Sequence, residues 1–164
     1  MKILTFTEGT ILMPLSALGL SRKERVEQSK RKEKKVYDFA NHLPIEKAVK
    51  KLQTWKNQGV KIFYLTSRTL TTQIKDISNV LKKYQFPDSQ NLLYRQKGEK
   101  YKDVAEKMMP NILIEDDCES IGGKKEMTYT YIKPKLKKKI KLIAVKEFGG
   151  IDHLPDKLEE LLEH

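Results

Sequence analysis

The 164-residue chain has one cysteine, Cys118, one tryptophan and three histidines. A single cysteine excludes an internal disulfide and a cysteine-based zinc cluster, so a reducing compartment, the cytoplasm, is the expected location. No apolar run approaches the ~18 residues that a membrane-spanning helix needs, and no membrane partner is expected. The opening Met1-Lys2-Ile3-Leu4-Thr5-Phe6 turns polar too early for a secretory signal. The closing Leu162-Glu163-His164 reads as the beginning of an appended histidine tag, so His164 carries no functional weight.

Acidic charge is also scarce. Against 33 Lys and Arg stand 22 Asp and Glu, a net charge of +11, while 38% hydrophobic and 34% charged residues suit a folded, highly charged domain. The shortfall is local. Ser21–Lys35 holds eight basic and three acidic residues, and Lys133–Lys141 holds six lysines and no acid. These two stretches account for the whole excess, and the rest of the chain is charge-balanced.

Four short segments rich in Ile, Leu, Val and aromatics read as buried strands: Lys2–Thr7, Val60–Thr66, Asn111–Glu115 and Ile140–Val145, with Asn91–Arg95 as a fifth. Helical stripes lie between them. Ile45, Ala48, Val49, Leu52 and Trp55 make one, Ile74, Ile77, Leu81 and Tyr84 a second, and Tyr101, Val104, Ala105 and Met108 a third. This alternation predicts an α/β fold with a doubly wound parallel sheet, in one domain over residues 1–161. Residues 13–43 break the rhythm. Ser21 and Glu24 have capping-box spacing, and no apolar residue follows between Val26 and Val36, so a protruding helical, cap-type insertion is expected. The lysine-rich stretch around Pro134 reads as an exposed loop.

Ligands of an open parallel sheet bind beyond the carboxyl ends of its strands. After the first strand come Glu8-Gly9-Thr10, after the second Thr66-Ser67-Arg68, and after the third Glu115-Asp116-Asp117 with Ser120. After the last come Glu147, Gly149-Gly150 and Asp152-His153. Carboxylates, small hydroxyls and a guanidinium thus converge on one rim. Cys118 reads as a small buried filler, and Trp55, Met108 and Met109 as packing residues.

In this pattern the chain resembles the haloacid dehalogenase-like (HAD) superfamily, whose members are mostly phosphohydrolases. That family opens with an apolar strand and Asp-x-Asp-Gly-Thr, where this chain has Phe6-Thr7-Glu8-Gly9-Thr10. Its second motif, a strand ending in Thr or Ser, is matched by Thr66-Ser67-Arg68. Its third, a lysine at the start of the next helix, has Lys100 and Lys102 as candidates. Its fourth, a strand ending in acids, is matched by Ile114-Glu115-Asp116-Asp117. The resemblance implies a phosphate-binding frame of Thr66, Ser67, Arg68 and Lys100 or Lys102, and a Mg2+ site built from Asp116, Asp117 and Glu8. It also implies a defect, because Phe6 stands where the family has the aspartate that attacks phosphorus and ligates magnesium.

Two functions stay open at this point. One is a rerouted, metal-dependent phosphohydrolase of a small phosphorylated molecule or nucleotide, with Glu8 or Asp116 as general base and no covalent intermediate. The other is a non-catalytic binding or regulatory domain that contacts nucleic acid or another polyanion through its basic insertion and lysine-rich stretch.

Overall fold

The computed structural model describes residues 1–164. Its central strands carry apolar residues at successive positions, so they must be covered on both faces. Five strands form one parallel sheet in the order β5-β4-β1-β6-β7. They are β1 (Lys2–Phe6), β4 (Lys61–Leu65), β5 (Leu92–Leu93), β6 (Ile112–Asp116) and β7 (Lys141–Val145). Ile3 pairs with Ile62 on one side and Ile112 on the other. All three point into the larger core cluster, whereas their neighbours Leu4 and Leu113 point into a second one.

The helical stripes cover these faces. On the larger cluster lie α2 (Ala48–Lys56), with Leu52 and Trp55 fully buried, and α3 (Thr71–Lys83), with Ile77, Val80 and Leu81. Trp55 keeps its indole N–H satisfied by donating to the Pro155 carbonyl at 3.0 Å. On the opposite face lies α4 (Tyr101–Met108), through Val104 and Ala105. The molecule is an α/β, Rossmann-like protein with a doubly wound parallel sheet. The last helix, α7 (Leu158–Glu163), buries Leu161 and continues through Leu162 and Glu163 of the tag-like ending.

Two expectations are corrected. The Lys133–Lys141 stretch is not a loop throughout. After α5 (Thr128–Tyr131), residues Pro134–Lys137 form the short helix α6, started by proline in its first turn. Ile132 and Ile140 anchor this region in the second cluster, while Lys135, Lys138 and Lys139 stay exposed.

The insertion does not protrude either. It is closed at its base by a two-stranded antiparallel ribbon of β2 (Leu12–Met13) and β3 (Leu43–Pro44). Its helix α1 (Arg22–Lys30) carries the capping box, with Ser21 Oγ accepting from the Glu24 amide and the Glu24 carboxylate from the Ser21 amide. Val26 packs with Met13, Ala17, Ile45 and Phe148 in a third small cluster. Arg25 is buried beside it. Its guanidinium donates to the carbonyls of Ala17 (3.3 Å) and Phe148 (3.2 Å) and to Glu46 (3.2 Å). A polar helix can be buried when its donors meet acceptors, and hydropathy does not register such pairing.

Arg25 therefore holds the insertion down on the loop that follows β7. Arg25→Ala should cost about 2 kcal/mol in urea unfolding, because the Phe148 carbonyl loses its side-chain donor and the Ala17 carbonyl keeps only the Leu20 amide. Amide exchange should rise across residues 13–43 and stay slow in β1, β4 and β6; uniform acceleration would contradict this local role.

Candidate functional site

The carboxyl ends of β1, β4, β6 and β7 meet under the docked insertion. Beyond β1 the chain turns sharply, with the Thr7 carbonyl accepting from the amides of Thr10, Ile11 and Leu12 at 2.9–3.2 Å. Gly9 permits this turn: its φ is +83°, and a Cβ there would sit 3.1 Å from Asp116 Oδ2. The turn brings Glu8 and Thr10 over the neighbouring strand ends.

Glu8 faces the β4 end. Its carboxylate accepts from Thr66 Oγ1 at 2.5 Å, from Thr7 Oγ1 at 2.5 Å and from the Ser67 amide at 3.1 Å. Arg68 Nε lies 3.9 Å away, and its guanidinium donates to Ser67 Oγ and stacks 4.5 Å from the Phe39 ring. The hydroxyl, amide and guanidinium expected to hold a phosphate are thus brought together around an internal carboxylate.

On the β6 side, Asp116 accepts from Thr10 Oγ1 (2.8 Å) and from the Cys118 amide (2.9 Å). Asp117 turns outward to Lys146 Nζ (3.2 Å) and the Glu147 amide (3.1 Å). Glu147, beyond β7, accepts from the amide and hydroxyl of Ser120 at 2.6 and 2.7 Å. Glu115, on the other face of β6, accepts from the amides of Thr128 and Tyr129 at the start of α5.

The magnesium ligand set does not assemble. No group of three or more His, Cys, Asp or Glu side chains is placed to hold a metal ion. Glu8 is drawn to Thr66 and Ser67, and Asp117 is drawn to Lys146, so only Asp116 of the three remains at the centre of the rim. The donor set present does not fit a hard cation, which requires several oxygens converging on one point.

The lysine candidates lie apart from these groups. Lys100 is exposed and its amide donates to Asp103, while Lys102 Nζ lies 3.6 Å from Asp103. From α4 the side chain that reaches the rim is Tyr101. Its ring meets Phe6 edge-on at 5.6 Å, its hydroxyl donates to the Ser67 carbonyl, and Arg95 covers its other face at 4.0 Å. Tyr101 belongs to the apolar stripe of α4, and only the tertiary fold shows that its hydroxyl ends at the rim.

Between rim and insertion lies a cavity of about 320 Å3, lined by Phe6, Phe39, His42, Arg68, Asp116 and Glu147 among others. Phe39 and His42, whose rings lie 5.0 Å apart, come from the insertion and were not foreseen. No periodic pattern marks them, because they sit in and next to a single 3-10 turn. Glu147 was visible only as an acid following a strand.

Burial sets the electrostatics. It raises the carboxyl of Asp116 despite the hydrogen bonds from Cys118 and Thr10, with the charge of Asp117 adding to the shift. Burial likewise raises Glu147, against the donors of Ser120. Glu115 is pushed up to about 7, the N–H groups of Tyr129 and Thr128 only partly offsetting burial. Burial lowers His42, against the opposing pull of the Asp38 carbonyl. Burial and the surrounding carboxylates push the Cys118 thiol up, which favours its neutral form.

No family model and no curated protein matches the chain. Two solved structures of the class C acid phosphatase from Bacillus anthracis are similar to it. The one with tungstate bound gives a TM-score of 0.54 at 12% identity, covering 91% of this chain and 68% of that one. The other gives 0.55 at 12% identity, covering 99% and 78%. The likeness shows a shared α/β fold built on a parallel sheet. At that identity it carries the fold alone. No helix is long and apolar enough to cross a membrane.

An acid whose pKa is raised by folding contributes stability that is full below its unfolded value and lost as pH rises through the folded one. For Glu115 the window runs from 4.5 to about 7. The loss is on the order of 3 kcal/mol, and Asp116 and Glu147 act in the same direction. Urea midpoints should therefore be higher near about pH 5 than near about pH 8, and Glu115→Gln should flatten the profile. A Glu115 carboxyl 13C resonance titrating near about 4 would contradict this placement.

Proposed function

We propose that the chain is a HAD-like binding domain that does not hydrolyse phosphoesters, because its own Glu8 takes the position a phosphate would need. The observation that carries this reading is the set of bonds from Thr66 Oγ1 and the Ser67 amide to the Glu8 carboxylate, with Arg68 alongside. These are the anion-stabilising groups that the resemblance assigns to phosphate, and charge-assisted bonds of this kind are the strong ones. A phosphate approaching them would meet a carboxylate of its own sign.

The chemistry of the neighbouring positions supports the same conclusion. In-line attack on phosphorus needs an oxygen nucleophile at the end of β1. Phe6 stands there, packed against Tyr101 rather than against a lysine. These rings, in edge-to-face contact, offer neither a nucleophile nor a charge to stabilise a leaving group. Glu8 is a poor general base in this setting, since three donors and Arg68 already engage its oxygens.

The purified chain should give no turnover of p-nitrophenyl phosphate or nucleotides with Mg2+ or Mn2+, and no saturable binding of orthophosphate by calorimetry. Glu8→Ala should open the Thr66–Ser67 cradle and allow orthophosphate to bind. Metal-dependent turnover by the unaltered chain, lost in Glu8→Ala, would establish the hydrolytic alternative instead.

A further inference from the structure

The two basic stretches of the sequence differ once folded. In the insertion, five of the eight basic side chains are engaged by acids. Arg22 meets Glu119, Arg25 meets Glu46, Lys30 meets Glu27, and Arg31 and Lys35 both meet Glu33. The later stretch is left open. Residues 124–141 hold eight lysines and one acid, Glu126. Of these lysines only Lys133 meets a carboxylate, that of Glu106 at 3.3 Å.

The open lysines ride on one ordered lobe. Its helix α5 is held by the Glu115 carboxylate, which accepts from the Thr128 and Tyr129 amides. Ile132 and Ile140 are buried in the second cluster and pin the chain on either side of α6. The 3-10 turn Lys124–Glu126 is joined to α5 by two bonds: Thr130 Oγ1 donates to the Lys124 carbonyl at 2.9 Å, and the Tyr131 hydroxyl to the Lys125 carbonyl at 2.6 Å. Lys137 Nζ donates to the Thr130 carbonyl at 2.8 Å, which ties α6 to the same surface. Lys124, Lys125, Lys135, Lys138 and Lys139 stay exposed. Like charges held close together repel one another, and a bound anion relieves that repulsion.

An aromatic ring supplies an independent second element. Tyr131 is 59% exposed although its hydroxyl is anchored on Lys125. The anchor fixes the tip of the side chain and leaves most of the ring in water. An exposed ring among lysines suits a single strand, which stacks a base on the ring and offers neighbouring phosphates to the ammonium groups. An anionic membrane surface is a poorer match. It would be gripped by apolar side chains, and here Ile132 and Ile140 are buried and Leu136 packs against the second cluster.

We propose that this lobe binds a single-stranded nucleic acid, with Lys124, Lys125, Lys135, Lys138 and Lys139 on its phosphates and a base stacked on Tyr131. The proposal rests on the reading of the chain as a non-hydrolytic binding domain, to which it assigns a partner. It puts the contact on the lobe and not on the insertion, whose charges are largely neutralised within the chain. Phosphate contacts from lysines carry no sequence information, so different sequences should bind alike.

The test uses the full chain and a labelled oligo-dT of about 20 nucleotides, read by fluorescence anisotropy over a salt series, with heparin and phosphatidylglycerol vesicles as separate arms. Saturable binding is expected, with log K falling against log salt at a slope of about −3 to −4, as for about five phosphates at ~0.7 each. The K124Q/K125Q/K138Q/K139Q variant should weaken binding about tenfold or more and flatten the slope by about 3. Lys32→Gln with Lys34→Gln on the insertion should leave both within about twofold. Tyr131→Ala should weaken the oligonucleotide about fivefold and leave heparin unchanged. A folded chain that ignores the oligonucleotide at low salt overturns the proposal and leaves the filled-cradle reading standing. So does binding that is lost in the insertion variant and kept in the lobe variant, or heparin or vesicle binding with which the oligonucleotide does not compete. Oligonucleotide binding indifferent to Tyr131→Ala overturns the stacked strand in favour of a general polyanion contact. Mg2+-dependent cleavage of the bound oligonucleotide overturns the non-hydrolytic reading instead and leaves the lobe as the nucleic-acid contact.

Discussion

A carboxylate placed at the end of a parallel strand, under a lid of other chain segments, must find donors or it will not stay charged there. This one constraint organises the rim. Glu8 finds Thr66 and Ser67, and so ties the turn after β1 to the turn after β4. Asp116 finds Thr10 and the Cys118 amide, and Glu147 finds Ser120, which draws the loops after β1, β6 and β7 into one surface. Glu115 finds the first amides of α5 and so places that helix against the opposite face. Each bond offsets part of the desolvation cost and leaves part of it, which is why burial still raises Glu115, Asp116 and Glu147.

The same bonds decide what the rim can do. An acid whose oxygens accept from hydroxyls and amides of its own chain has fewer lone pairs left for other partners. Glu8 shows this most clearly, since Thr7 Oγ1, Thr66 Oγ1 and the Ser67 amide all engage its oxygens. The edge-on contact of Phe6 with Tyr101 makes the β1 end an apolar wall. The α/β fold thus frames a cavity lined by acidic, basic and aromatic side chains, lying beneath an insertion that is itself basic.

Much of the scaffold could be read from residue patterns alone. KILTF, KIFYL, ILIED and KLIAV are short apolar runs bounded by polar residues, and they occupy β1, β4, β6 and β7. The stripes through Leu52 and Trp55, and through Ile77 and Leu81, are buried in the cluster they were expected to fill. The insertion was harder. Its Ser21–Glu24 cap is local and legible, but the burial of Arg25 depends on carbonyls from Ala17 and Phe148 that only folding brings within reach. Lys100 and Lys102 failed as rim residues for a related reason: position along a helix start does not say which side chain turns inwards, and Tyr101 does.

Strand identity, helix faces and the location of the rim follow from periods of two and 3.6 residues, which are properties of neighbouring residues and need no knowledge of the fold. The phenylalanine that closes the first strand, Phe6, is likewise written in the chain. Which acid is free and which is engaged is not, because it turns on contacts between residues separated by 58 positions for Glu8 and Thr66 and by 106 for Thr10 and Asp116. Local pattern determined the frame, and long-range hydrogen bonding decided its chemistry.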